Sequence, residues 1–216
     1  MIPAGDLTTA GDKTITVFTP APGGGTSNAQ ILTVDKATPT ISWADPSDIV
    51  YGTALSSTQL CATASVPGTF VYTPDFGALL LAGNSQTLHV DFTPADTVNY
   101  TNAFNDVTIN VNKASLTITA DDCGKAYGDT VSFLGTEFTP TGLVGSDNVT
   151  SVSLTSIGVG ASAAVGTYDI VVSAAVGIGL DNYEITYENG TLTVTVRDIA
   201  VTADDNGKTS AIPIRL

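Results

Sequence analysis

The residues of this 216-residue chain that could do chemistry are few and scattered. There is one histidine, His89, in the run Leu88-His89-Val90-Asp91-Phe92. An imidazole beside a carboxylate is the pair from which a general base is built. The apolar residues of that run alternate, however, which turns His89 and Asp91 to the wet face of a strand, and no nucleophile accompanies them. His89 therefore reads as an exposed surface histidine. The two cysteines, Cys61 and Cys123, have neither C-x-x-C nor metal-ligand spacing. Cys61, in Leu60-Cys61-Ala62-Thr63-Ala64, reads as an inert core residue on a strand. Cys123 reads as a turn residue before Gly124, with Lys125 close enough to lower its pKa slightly.

The strongest ligand candidates are two acidic pairs, Asp121-Asp122 and Asp204-Asp205. Oxygen-rich turns of this kind could hold Ca2+, a hard cation that takes six or more oxygens. Asp204-Asp205-Asn206-Gly207 is not an EF-hand loop, because it lacks the alternating acidic positions and the closing glutamate. The competing reading is that these aspartates are ordinary turn residues. No other cofactor is expected. The pairs Tyr51-Gly52 and Tyr127-Gly128 recur at equivalent places. A sugar platform is conceivable there, but a tyrosine packed at a sheet edge beside a glycine with positive φ is the reading favoured. Trp43, the only tryptophan, falls on an apolar strand face and is assigned to the core. The sequons at Asn99, Asn148 and Asn189 are what chance gives in a chain with 34 threonines.

Strands must position all of these groups. Leu192, Val194 and Val196 alternate with Thr191, Thr193 and Thr195, and the same period of two runs through Leu116–Thr119 and Val107–Asn112. One face of each strand is thus apolar and the other wet, as in antiparallel sheets with one solvated side. Clusters such as Pro20-Ala21-Pro22-Gly23-Gly24-Gly25 and Gly145-Ser146-Asp147-Asn148 punctuate the strands. No long amphipathic helix is present in the pattern; a short helical turn is expected near Thr141–Val144 or Leu55–Leu60.

The chain also repeats itself. Val34-Asp35-Lys36-Ala37-Thr38 returns 77 residues later as Val111-Asn112-Lys113-Ala114-Ser115. Ala120-Asp121-Asp122-Cys123-Gly124-Lys125 returns after 83 residues as Ala203-Asp204-Asp205-Asn206-Gly207-Lys208, and Asn99-Tyr100 returns as Asn182-Tyr183. Such a period is too long for a helical solenoid or propeller blade and suits small domains joined end to end. The short Lys36-Ala37 and Lys113-Ala114 junctions, without Gly or Ser, predict a semi-rigid rod whose repeats unfold nearly additively. The two cysteines fall at non-equivalent points of different repeats, so no disulfide within a domain is expected.

Composition narrows the function further. Apolar residues make up 43% of the chain, enough for packed cores. Seven basic residues against 21 acidic ones give a net charge of −14, a field that repels phosphate backbones, so nucleic-acid binding is not expected. Only three of the acids are glutamate, which sends the negative charge to turns and not to helix faces. No apolar run approaches the roughly 18 residues of a membrane span. Met1–Asp6 lacks the basic and apolar regions of a signal peptide, and the chain is read as a piece of a longer protein.

Between Leu116-Thr117-Ile118-Thr119-Ala120-Asp121-Asp122, Lys125-Ala126-Tyr127-Gly128-Asp129, Gly142-Leu143-Val144-Gly145-Ser146-Asp147, Val165-Gly166-Thr167-Tyr168 and Asn182–Val194, the second repeat (114–196) resembles the MBG domains of large bacterial surface and secreted proteins. The first repeat (36–112) resembles bacterial immunoglobulin-like repeats through Lys36–Trp43, Ile49–Leu55, Gly68–Pro74 and Phe92–Tyr100. Val17–Asn28 is similar to the last hairpin of an IPT/TIG-like domain, which makes 1–35 the end of such a domain and 197–216 the truncated start of a further repeat. The resemblance implies an all-β chain of tandem small domains: an immunoglobulin-like sandwich, then an MBG-type sandwich or β-grasp-like sheet. It implies extracellular, non-enzymatic modules at a bacterial surface, with no catalytic residues to carry over. The expected function is a structural spacer whose partners are its neighbouring repeats; the alternative is an adhesive module for a glycan or a surface protein.

Overall fold

The computed structural model describes residues 7–202 and 207. Asp204 and Asp205, and most of the segment after Val196 that reads as a further repeat's start, lie outside the described residues or at their edge. In chain order the strands are β1 (Gly11–Ile15), β2 (Gln30–Val34), β3 (Ile41–Ser42), β4 (Ile49–Val50), β5 (Thr63–Ala64), β6 (Gly68–Thr73), β7 (Gly83–Pro94) and β8 (Ala103–Asn112). They continue with β9 (Ala114–Ala120), β10 (Cys123–Ala126), β11 (Phe138–Thr141), β12 (Asn148–Thr155), β13 (Gly166–Ile178), β14 (Tyr183–Glu188) and β15 (Gly190–Thr195). Among the described residues there is no α-helix, and none that could cross a membrane. The fold is all-β, built as tandem small domains.

By internal contact the chain forms two units. The first takes the chain up to Leu116 together with Gly142–Asn148 and Ile178–Ile185; the second takes Thr117–Thr141, Val149–Gly177 and the chain from Thr186 onward. Two short segments of the second repeat thus pack with the first unit.

In the first unit, β4, β8, β7 and β6 form a sheet in that order, with β4 parallel to β8 and the other pairs antiparallel. Alternation along β7 and β8 buries Leu88, Val90, Val107, Ile109 and Val111 in one cluster with Trp43, Ile49, Leu55 and Leu60. The short β3–β5 pair lies alongside in sequence, and Ile41 packs against the same cluster. Trp43 is core as expected, its indole N–H donating to the Gln59 carbonyl at 3.0 Å. Ser56–Leu60 forms a helical turn, as expected: the Leu60 N–H reaches the Ser56 carbonyl at 2.9 Å, and the Gln59 side chain caps the Ser56 N–H at 3.1 Å. A short 3-10 turn also forms at Leu180–Asn182. At Thr141–Val144 the chain instead leaves β11 for an open turn closed by Asp147 N–H on the Val144 carbonyl. The β1–β2 hairpin leaves Phe18 and Ile31 exposed.

The second unit is centred on a sheet of order β10, β15, β13, β12, with β10 parallel and β13 antiparallel to β15. Ile170, Val172, Leu192 and Val194 alternate inward on it. A second sheet runs β11, β9, β14, and β9 contributes the buried Ile118 and Ala120. Two sheets with inward alternation make this repeat a sandwich, since a β-grasp needs a helix lying across its sheet. The order of the first repeat's four-stranded sheet is reproduced position for position, while its two-stranded β3–β5 sheet is matched here by a three-stranded one.

Candidate functional site

A cluster of hydrogen-bonded polar groups lies in the first unit, at the end of β4. Tyr51 continues that strand, its N–H donating to the Asn112 carbonyl at 2.8 Å. Gly52 then turns the chain at φ 94°, a conformation that disfavours any side chain. Its bare α-carbon is also needed for space: a Cβ would lie 2.9 Å from a Val144 methyl. The Tyr51 hydroxyl donates to Asp147 Oδ2 at 2.8 Å, and the Tyr183 hydroxyl donates to the same oxygen at 2.8 Å. Tyr183 also accepts from the Val144 N–H at 2.7 Å, and the two tyrosine rings meet edge to face at 5.5 Å.

Burial, with the Asp147 carboxylate second, pushes the Tyr183 phenol up to about 12. The Tyr51 phenol is raised chiefly by its hydrogen bond to Asp147. Beside this cluster, Asn182 Oδ1 accepts from the Ala82 N–H at 2.9 Å. Both phenols are held neutral as donors to one anion, which is a clamp and not a reactive centre. The glycine reading of Tyr51-Gly52 holds, and the tyrosine does more than pack: its hydroxyl is held by Asp147 and its ring meets that of Tyr183.

His89 stands on the wet face, as its alternation requires. Cross-strand register sets it opposite Asp106, and Nδ1 lies 2.6 Å from Asp106 Oδ1. Nε2 lies 3.3 Å from Asp91 Oδ1. The Asp106 bond raises the imidazole pKa against a smaller opposing effect of burial. A nucleophile would have to sit where Asp91 does, so the pair is an ion-pair clamp across β7 and β8. The Phe104 ring, 67% exposed, lies 5.8 Å from the imidazole.

In the second unit Tyr127-Gly128 ends β10 as Tyr51-Gly52 ends β4, and Gly128 has φ 93°. Asp121 Oδ1 accepts from the Thr139 hydroxyl at 3.0 Å, and Asp122 Oδ1 from the Thr191 N–H at 2.6 Å. Each carboxylate thus ties two strands together.

Residues 116–193 match the family model of the MBG domain, YGX type. No curated protein matches this chain. Within this matched segment, Asp121 and Asp122 line a cavity of about 340 Å3 with Cys123 and Glu137. The Glu137 carboxylate is already occupied by the backbone N–H groups of Leu134, Gly135 and Thr136, which hold its pKa below the usual range. Among the described residues no three His, Cys, Asp or Glu side chains gather as a metal cage would need.

The cysteines differ from expectation. Cys61 is exposed, not core: β5 begins only at Thr63, and it is Leu60 and Ala62 that point inward. Cys123 opens strand β10 and is half-buried; burial, then the neighbouring Asp122, raises its pKa. Lys125 does not lower it, because its ammonium is itself buried and donates to the carbonyls of Asp129 and Gly160. Sequence reading missed Asp106 and Asp147. Asp106 could have been found by pairing β7 with β8 in register, whereas nothing local marks Asp147 out from other turn aspartates.

Proposed function

We propose that this chain is a length of non-catalytic stalk from a large repetitive bacterial surface or secreted protein. In this reading 1–35 closes an IPT/TIG-like domain, 36–112 is an immunoglobulin-like repeat, 114–196 is an MBG-type domain, and 197–216 begins the next repeat. The observation that carries it is the reuse of one sheet order, β4-β8-β7-β6 and then β10-β15-β13-β12, in successive repeats. A chain that spends its length on copies of one scaffold extends reach without adding chemistry. The MBG match of 116–193 supports the same reading, as MBG domains occur in bacterial surface repeat proteins. The charge of −14 keeps such an extended chain soluble.

One observation favours the adhesive alternative: Phe104 stands exposed beside His89 and two carboxylates, a surface on which a sugar ring could stack. A glycan array and a pull-down from cell-surface extracts, both with the whole chain, separate the two. A stalk gives no saturable binding. Binding that is lost in Phe104→Ala would replace the stalk reading with the adhesive one.

A further inference from the structure

Two hydrogen bonds of the first unit repeat one another. In Asn99-Tyr100, Asn99 Oδ1 accepts from the Ala10 N–H at 2.8 Å; in Asn182-Tyr183, Asn182 Oδ1 accepts from the Ala82 N–H at 2.9 Å. Each time the amide of an Asn-Tyr pair reaches a backbone N–H far upstream, by 89 and 100 residues. The second bond lies beside the Tyr51–Asp147–Tyr183 clamp, and together they form a plug in a socket. The plug is Val144, Asp147, Asn182 and Tyr183. The socket is Tyr51, Gly52 and the Ala82 N–H, which flank the end of β8: Val50 pairs with Asn112, and Gly83 with Val111.

The second repeat carries the socket again. Ala126 pairs with Thr195 and Gly166 with Val194, so Tyr127-Gly128 and Val165 flank the end of β15 as Tyr51-Gly52 and Ala82 flank that of β8. Here the socket is open. Tyr127 is 48% exposed and Val165 54% exposed. Neither the Tyr127 hydroxyl nor the Val165 N–H has a hydrogen-bond partner among the described residues. Over Gly128, where Val144 covers Gly52, lies only the exposed guanidinium of Arg197, bonded to Asp129 at 2.9 Å and to the Tyr127 carbonyl at 3.3 Å.

We infer that Tyr127, Gly128 and the Val165 N–H are the docking socket for a following MBG-type repeat of the same polypeptide. The occupant is an acidic loop like Gly142-Leu143-Val144-Gly145-Ser146-Asp147 together with an Asn-Tyr corner like Asn182-Tyr183. One observation selects it over a repeat of the first type: between β5 and β6 the first repeat has only Ser65-Val66-Pro67, which offers no carboxylate. The docking holds whether the chain serves as a stalk or as an adhesin.

The test extends the chain by a second copy of residues 115–196 placed directly after Arg197. Amide hydrogen exchange is then compared with that of the original chain. The Val165 N–H should gain about tenfold or more protection in the extended chain, while Ala82 stays as protected as before. Tyr127→Phe, and Asp147→Asn in the added copy only, should each remove most of that gain, and their effects should not add. Equal Val165 exchange in both chains would overturn the inference, as would protection that survives both substitutions together. The template is checked in the unextended chain: Asp147→Asn must speed exchange at Ala82, and an unchanged rate there would refute the plug and socket at their origin.

Discussion

The four-stranded sheets of the two repeats agree on one face and part company on the other. Inward, Leu88 and Val90 of β7 stand where Ile170 and Val172 of β13 stand, and Ile109 and Val111 of β8 where Leu192 and Val194 of β15 stand; all are buried. Outward, the first sheet carries the His89–Asp106 pair, while the second carries the exposed, apolar Val171 on β13. The sheet order thus depends on an apolar stripe of period two, and the solvent face is free to vary. The comparison breaks most sharply on core truncation. Leu88→Ala and Ile170→Ala should each cost about 2–5 kcal/mol, read from urea denaturation. A much smaller loss for either would mean that the two sheets do not rest on the same stripe.

The two Tyr-Gly corners give a second contrast, the same residues in the same place with different company. Asp147→Ala strips two phenols of a shared anionic acceptor and should cost about 1.5–3 kcal/mol. It should also bring the Tyr183 phenol down from about 12 toward 10, visible in an ultraviolet titration. The sign follows from the raised pKa: the clamp's contribution is whole below about pH 10 and is lost as pH rises through the folded values. A smaller difference separates the glycines. Gly52→Ala should cost about 1–3 kcal/mol, because positive φ and the Val144 methyls both oppose a Cβ. Gly128→Ala meets the same φ but only a movable Arg197 head, so its loss should be the smaller when the two melts are compared.

What the sequence made legible follows from the range of each interaction. Strand alternation, the Trp43 core position and the turning glycines are local consequences of residue type, and they were readable. Cys61 was misread although its neighbours held the answer: with Leu60 and Ala62 both inward, a period of two turns the residue between them out. The Lys125–Cys123 reading failed because the ammonium's true partners, the Asp129 and Gly160 carbonyls, follow from the loops that fold over it. Asp147 meets Tyr51 across 96 residues, a pairing that no local pattern encodes.

The smallest effect tests the outer faces. His89 has carboxylates on both ring nitrogens, Asp106 on its cross-strand partner and Asp91 on its own strand, while its other cross-strand neighbour, Thr73, carries no charge. Its pKa is raised, so the folded state favours the imidazolium. The stabilisation is therefore fully present below the unfolded value near 6.5 and fades as pH climbs through the higher folded one. For a pair this open to solvent, the whole effect should be about 0.5 kcal/mol, and it should weaken in salt. Urea midpoints taken on either side of that window should differ in the intact chain, and the difference should shrink in Asp106→Asn, which removes the main partner. A pH dependence that persists undiminished in Asp106→Asn would assign it to other groups and leave the two outer faces energetically alike.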